Sequence, residues 1–198
     1  MSDKSAQKKK YILETARSVF MEKGFKNVTM KDIVDSCNIS RGGLYLYFSS
    51  TEEIFRAILA AGPEEEEELG REVSRDASMA DILLLFLKEQ KKVILRKKED
   101  LSVATYEFFF ANKPEKREDN YLRTQFDTAV MVLTRILEEG IRRGEFYEVD
   151  SKAVATNIMY AVEGMKICAR TMGLSEGKVD RELLYLLEGL VMEEYMEE

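Results

Sequence analysis

Apolar residues recur at helical spacing along almost the whole chain. One early stripe consists of Ile12, Leu13, Ala16, Val19 and Phe20, and a later one of Leu122, Phe126, Ala129, Val130, Leu133, Ile136, Leu137 and Ile141. Residues three or four apart share one face of a helix, whereas half-buried strands alternate apolar and polar residues, a pattern that is absent here. The sequence therefore predicts an all-α fold of about nine helices in a chain of 198 residues.

Four further predictions concern particular positions. Gly24 is expected to end the first helix, Pro114 to begin the seventh and Ser151 to cap the eighth. The apolar run Ile82 to Leu87 in the fifth helix is expected to be enclosed by neighbouring elements.

Two short helices joined by a tight turn are predicted near the N-terminus. Thr29 has the chemistry of an N-cap for the first, and Ser40 for the second, which we expect over residues 41–48 with Leu44 and Phe48 on its inner face. This is the layout of a helix-turn-helix, in which the second helix enters the major groove of DNA.

Charge divides unevenly along the chain. Residues 1–51 hold nine Lys/Arg against five Asp/Glu, a net +4, although the whole chain carries −7. A basic module on an acidic body would present one face to phosphates, which favours nucleic-acid contact through the N-terminal quarter. The alternative is an uneven surface charge without a function.

The beginning of the second short helix is poor in side chains. Gly42 and Gly43 would each weaken an ordinary helix by about 1 kcal/mol, so they need a reason, and close approach of the backbone to DNA is one. Ser40 and Arg41 supply hydrogen-bond donors at the same end. We therefore take this edge as the candidate DNA-reading surface.

Three longer side chains on this helix are candidates for DNA contacts. Arg41 can make a bidentate contact with guanine, worth about 1–3 kcal/mol of discrimination; the alternative is an exposed, solvated arginine. Tyr45 and Tyr47 point to different sides of the helix and can each reach a phosphate oxygen, which positions the protein without reading sequence. Their alternative role is packing.

The stretch from Ile12 through Phe55 resembles the TetR family of transcriptional regulators. The resemblance is carried by Ala16, Phe20, Lys23-Gly24-Phe25, Thr29-Met30-Lys31-Asp32-Ile33 and Ser40-Arg41-Gly42-Gly43-Leu44-Tyr45-Leu46-Tyr47-Phe48, and more weakly by Gly140 with the Gly144-Glu145-Phe146 turn.

The resemblance implies a homodimeric repressor that binds a palindromic double-stranded DNA operator until a small apolar or amphipathic effector binds its C-terminal domain. It implies a DNA-binding domain over residues 1–50 and an effector-binding and dimerisation domain over 51–198, with the last two helices forming the dimer. It places Thr29, Ser40, Arg41, Gly42, Gly43, Tyr45 and Tyr47 at DNA-contacting positions.

One departure from the family concerns the beginning of the fourth helix. Members commonly have a phosphate-binding lysine there, whereas this chain has Ser49-Ser50-Thr51. Thr51 could still donate a hydrogen bond to a phosphate, but the charge is missing, so we expect a shallower salt dependence. Lys8, Lys9 and Lys10 form either a compensating basic arm or a solubility tail.

Most of the Phe, Tyr and Met residues lie in the C-terminal three quarters of the chain, which suits both an adaptable ligand cavity and a core. Polar residues within apolar runs are further candidates, because burying them unpaired would be costly. The candidate pocket residues are Phe86, Tyr106, Glu107, Phe110, Phe126, Met131, Asn157 and Glu163.

Several functions are disfavoured by composition. The chain has no His, and Cys37 and Cys168 form no metal-ligand motif, so we expect no metal and no cofactor, although enzymes that work with carboxylates or lysine stay open on this ground. We expect no enzymatic activity because the sequence shows no nucleophile with a base, no metal cluster and no phosphate-binding loop. The longest apolar run, Ile82 to Leu87, is far shorter than the roughly 20 residues of a membrane span, and a cytoplasmic protein is expected. The alternative function is a helical dimeric ligand-binding or interaction protein that does not bind DNA specifically.

Overall fold

A computed structural model of the chain describes residues 3–62, 77–96, 100–113 and 120–191. Within these ranges the chain forms nine α-helices: α1 (Asp3–Lys23), α2 (Met30–Cys37), α3 (Arg41–Tyr45), α4 (Thr51–Ala60), α5 (Met79–Leu95), α6 (Ser102–Ala111), α7 (Tyr121–Arg143), α8 (Ser151–Thr171) and α9 (Glu176–Leu187). Extended pairing in the same ranges is limited to one antiparallel bridge between Phe146 and Val191. The all-α prediction is confirmed.

The chain divides into two compact units. Of the described residues, the first unit takes 3–62, 100–113 and 120–121, and the second takes 77–96 and 122–191. Buried apolar residues of α4 and α6 share one core with α1 and with the two short helices α2 and α3. The first unit therefore contains all five of these helices. The compact units therefore do not follow a division at residue 50.

The predicted helix boundaries agree with the structure to within a few residues. Gly24 ends α1 in the left-handed conformation (φ 73°), as the sequence indicated. The third helix ends at Tyr45 rather than near Phe48, because the Tyr47 N–H turns back to the carbonyl of Leu44, three residues away, instead of continuing the four-residue pattern. Asp150 caps α8, and Ser151, the predicted cap, is its first residue. Pro114, predicted to begin the long seventh helix, lies outside the described residues.

The core of the first unit is an aromatic cluster. Phe20 of α1 and Phe55 of α4 have ring centres 4.8 Å apart, and Phe108 of α6 lies 5.1 Å from Phe55. Phe25, in the turn after α1, contacts all three rings at 4.9–5.9 Å. Such offset and edge-to-face contacts hold the four segments together around one apolar centre.

The core of the second unit is built from α5, α7, α8 and α9. Near the end of α7, the backbone at Gly140 lies close to the Phe146 ring, because an added methyl group would stand 2.1 Å from it. Only glycine leaves room for that ring. The apolar run Ile82 to Leu87, predicted to be enclosed, buries Leu83, Phe86 and Leu87, but Leu84 remains 41% exposed.

The described helices include none with both the length and the apolar character needed to cross a bilayer.

Candidate nucleic-acid interface

Helices α2 and α3 are joined by a three-residue turn, which runs from Asn38, the C-cap of α2, to Ser40, the N-cap of α3. Asn38 ends α2 in the left-handed conformation (φ 49°), which asparagine tolerates better than most residues. The Ser40 hydroxyl then accepts a hydrogen bond from the N–H of Gly43 and begins α3. The Tyr11 hydroxyl of α1 donates to the carbonyl of Cys37 at the end of α2, 3.2 Å away. The predicted helix-turn-helix is therefore present and is tied to α1.

Thr29 and Asp32 form a complete capping box at the beginning of α2. The Thr29 hydroxyl accepts from the Asp32 N–H and contacts the Asp32 carboxylate, which in turn accepts from the Thr29 N–H at 2.8 Å. A 2.6 Å ion pair with the Lys23 ammonium lowers the pKa of the Asp32 carboxyl, as do the bonds with Thr29, and raises the pKa of Lys23. The carboxylate therefore stays charged at neutral pH, where it complements the helix dipole. Thr29, predicted to contact DNA, is engaged in this cap.

One side of α3 is anchored in the core of the first unit. Leu44 is fully buried and Phe48, one turn later, is 2% exposed, as the sequence predicted. A helix of five residues has too few internal hydrogen bonds to be stable alone. The burial of these two side chains therefore fixes which faces of α3 point outward.

Arg41 and Tyr45 occupy one of these outward faces. Both are exposed, and the Arg41 guanidinium lies 5.4 Å from the centre of the Tyr45 ring, a cation–π contact between residues four apart. The contact holds the guanidinium near the surface of α3, where its N–H groups donate to no other residue in the part of the chain that the structure describes. Tyr47, on another side, is only half-buried and packs against the core of the first unit.

The two glycines of α3 have different surroundings. A methyl group on Gly43 would stand 3.2 Å from the Ser40 hydroxyl oxygen, so the cap itself favours glycine there. A methyl group on Gly42 would meet no atom within 4 Å, and its φ is not left-handed. Nothing within the described chain explains the glycine at position 42. Close approach of the backbone to DNA is the explanation that the sequence suggests.

Leu46 is a further exposed residue of this surface, and it is not among the predicted DNA contacts. This residue directly follows α3 and is 83% exposed, although its neighbours Leu44 and Phe48 are buried. Its position four residues after Gly42, on the open side of the helix, is the sequence signal that could have identified it.

One further predicted DNA contact, Thr51, lies at the beginning of α4, and the predicted basic arm belongs to α1. Ser50 caps α4, and Thr51 is its first residue and is half-buried. Lys8, Lys9 and Lys10 belong to α1, and the Lys9 ammonium lies 5.4 Å from the centre of the Phe48 ring. A positive charge is thus held next to the Ser49-Ser50-Thr51 segment.

The candidate pocket residues are divided between the two units. Tyr106, Glu107 and Phe110 belong to the first; Phe86, Phe126, Met131, Asn157 and Glu163 belong to the second. Glu107 accepts a hydrogen bond from the backbone N–H of Lys26 at 3.1 Å, and Phe110 is 77% exposed.

Within the second unit, Phe86 is buried in the core, whereas Asn157 is exposed and Met131 is 47% exposed. The ring of Phe126 lies 5.0 Å from that of Tyr160, and Glu163 pairs with Lys166 at 2.9 Å. The structure therefore does not bring the eight candidates together within either unit.

Comparisons with known proteins agree with this geometry. The family model described as bacterial regulatory proteins, tetR family, matches residues 12–58, and a Tetracyclin repressor-like C-terminal domain matches residues 82–180. An uncharacterised helix-turn-helix transcriptional regulator of Bacillus subtilis, YfiR, is 36% identical over 72% of this chain and 69% of its own length. The chain is therefore a DNA-binding transcriptional regulator. It belongs to the TetR family, whose members bind operator DNA as dimers and respond to small-molecule effectors.

Solved structures show the same fold at lower sequence identity. A transcriptional regulator from Saccharomonospora viridis in complex with choline has a TM-score of 0.80 at 17% identity, covering 94% of this chain and 99% of that one. NalD of Pseudomonas aeruginosa, the secondary repressor of the MexAB-OprM multidrug efflux pump, has a TM-score of 0.66 at 16% identity, with coverage of 96% and 99%. These relatives are regulators rather than enzymes.

We predict that Gly42→Ala weakens DNA binding without destabilising the protein. The added methyl group meets no atom of the chain, so the free energy of unfolding should stay the same or rise by up to about 1 kcal/mol, the helix-propensity gain of alanine. If DNA packs closely against the backbone at Gly42, the same methyl group should reduce the binding free energy by about 1–3 kcal/mol, which is roughly 5- to 150-fold in affinity. Fluorescence anisotropy with a duplex selected from a random library, and chemical denaturation, measure the two effects.

Gly177→Ala is the matched control, because Gly177 also lies in a helix, α9, where an added methyl group would meet no atom within 4 Å, and it should keep the wild-type DNA affinity. Wild-type DNA affinity in Gly42→Ala would show that position 42 does not approach DNA.

Proposed function

We propose that the chain is a cytoplasmic homodimeric repressor that reads a palindromic operator with two copies of α3 and releases it when a small apolar or amphipathic molecule binds. The observation that carries the proposal is the outer side of α3, where Gly42 leaves the backbone uncovered next to the exposed Arg41 and Tyr45. In this arrangement Arg41 contacts a guanine edge and Tyr45 contacts a phosphate. Ser40, Gly43, Tyr47 and Thr51 remain the further proposed contacts, and Thr29 positions α2 through its cap.

The proposed dimer uses the outer faces of α8 and α9. Tyr160, Gly164 and Ile167 lie one turn apart on α8; Tyr160 is 65% exposed and Ile167 is 43% exposed. A methyl group on Gly164 would meet no atom within 4 Å, so this glycine leaves room for an element outside the chain. On α9, Leu184 and Tyr185 are about 60% exposed. Apolar faces of this kind on two adjacent helices suit a two-fold four-helix contact.

The dimer accounts for the palindrome. Two identical reading helices related by a two-fold axis meet the same sequence on opposite strands, about one helical turn, or roughly 34 Å, apart. A monomer would read a single half-site with much lower affinity.

The effector proposal is supported by the structural relatives. The Saccharomonospora viridis regulator binds choline and NalD represses a multidrug efflux pump, so this fold accommodates small molecules and serves in repression. For this chain, we propose an effector site within the second unit that uses Phe86 and Phe126. The roles of Met131, Asn157 and Glu163 in that site stay predictions, as do the ligand contacts predicted for Tyr106, Glu107 and Phe110 of the first unit.

Arg41→Ala should abolish a guanine preference in the operator. Loss of a bidentate contact removes about 1–3 kcal/mol of discrimination, roughly 5- to 150-fold. The measurement is anisotropy with the selected duplex and with duplexes carrying each guanine replaced in turn, across a salt series.

Arg41→Lys is the matched control, because lysine keeps the charge but not the planar fork. It should reduce the guanine preference less than Arg41→Ala does, because an ammonium can still donate to guanine, and it should retain the wild-type salt slope. Arg41→Ala flattens that slope if Arg41 also neutralises a phosphate. A wild-type base preference in Arg41→Ala would remove Arg41 from the reading surface. Failure of the wild-type protein to bind any duplex at low salt would contradict the operator proposal as a whole.

Ile167→Glu should dissociate the dimer. A carboxylate placed in an apolar two-fold contact would be buried twice without a partner, which should weaken self-association by at least about tenfold. Sedimentation equilibrium measures the change. Leu84→Glu is the matched control, since Leu84 is comparably exposed in the same unit but lies on α5. Equal self-association of the two variants would place the dimer interface elsewhere.

A further inference from the structure

Leu46 is the most exposed large apolar side chain in the part of the chain that the structure describes. It is 83% exposed, compared with 43% for Tyr45 and complete burial for Leu44. Leaving a leucine in water forgoes about 1.5–3 kcal/mol of burial free energy. A single exposed leucine is ordinary on a protein surface, so what distinguishes Leu46 is its position on the reading helix.

Leu46 belongs to the same side of α3 as Gly42. The two residues are four apart, and the Leu46 N–H donates to the Gly42 carbonyl at 3.2 Å, which extends the helical geometry to Leu46. Its backbone angles are also helical (φ −67°, ψ −21°). The uncovered backbone at Gly42 is therefore followed, one turn later on the same side, by an apolar side chain.

The chemistry of the DNA surface restricts what an apolar side chain can contact there. Phosphates are charged, and the base edges of the major groove offer hydrogen-bond donors and acceptors with one apolar exception, the C5 methyl group of thymine. We propose that Leu46 contacts a thymine methyl group in each half-site and is a specificity-determining residue of the regulator. The inference rests on the proposed operator reading by α3.

The spacing between Arg41 and Leu46 limits where that thymine lies. Five residues of helix rise about 7.5 Å, and successive base pairs along one DNA strand are about 3.4 Å apart. The thymine should therefore lie within about two base pairs of the guanine that Arg41 reads. Arg41 supplies hydrogen-bond readout at one end of the helix, and Leu46 supplies apolar readout at the other.

The test removes the methyl group from the DNA and the side chain from the protein, separately and together. Each thymine of the selected duplex is replaced in turn by deoxyuridine, which lacks only the C5 methyl group, and wild type and Leu46→Ala are titrated by anisotropy at one salt concentration. At one position per half-site, deoxyuridine should weaken wild-type binding about three- to tenfold, the effect expected of one buried methyl group. Leu46→Ala should bind the thymine duplex with a similar loss and show no further loss with deoxyuridine.

Val103→Ala is the matched control. Val103 is 44% exposed in the same compact unit but lies on α6, away from the reading helix. It should keep the full deoxyuridine sensitivity of the wild-type protein.

Three outcomes would overturn the inference. Deoxyuridine could weaken Leu46→Ala as much as wild type, it could have no effect on wild type at any position, or Leu46→Ala could alter self-association in place of DNA binding. In each case, tight binding of wild type to the selected duplex, together with the lost guanine preference of Arg41→Ala, would still support operator reading by α3. Failure of this inference is therefore distinguishable from failure of the proposed function.

Discussion

The burial of Leu44 and Phe48 determines how this protein can meet DNA. Helix α3 has five residues and cannot persist without tertiary contacts, so its orientation is set by the side that enters the core. Because those two side chains face inward, the side with Gly42 and the side with Arg41 must face outward. The surface available for reading bases is thus a consequence of packing on the opposite side of the same short helix.

The aromatic core extends this constraint through the first unit. Phe20, Phe55 and Phe108 bring α1, α4 and α6 around one centre, and the cation–π contact of Lys9 with Phe48 joins the beginning of α1 to the end of the reading segment. The Tyr11 hydroxyl of α1 also holds the end of α2, by its hydrogen bond to the Cys37 carbonyl. The helix-turn-helix is therefore supported by helices on both sides of it in sequence, which suits a reading surface that has to keep its shape while bound.

The sequence predicted what depends on local chemistry and missed what depends on tertiary contacts. Capping at Thr29 and Ser40 and the left-handed end of α1 at Gly24 follow from hydroxyl and glycine chemistry, and the structure confirms them. Leu44 and Leu46 are chemically identical, so only packing distinguishes the buried leucine from the exposed one. The two glycines of α3 are also chemically identical. Only the structure shows that the Ser40 cap favours glycine at position 43, whereas no described neighbour does so at position 42. Glu107, a candidate for a ligand contact, instead accepts the Lys26 N–H, a long-range partner that residue spacing could not reveal.

The central claim is that two symmetry-related copies of α3 read the major groove, and methylation interference at guanine N7 tests it most directly. That atom is exposed only in the major groove, and a methyl group there blocks an approaching helix edge. The account predicts interfering guanines in two clusters related by a two-fold axis, with centres about 10 base pairs apart or a multiple of that. Interference confined to one cluster, or binding unaffected by N7 methylation throughout the operator, would contradict it.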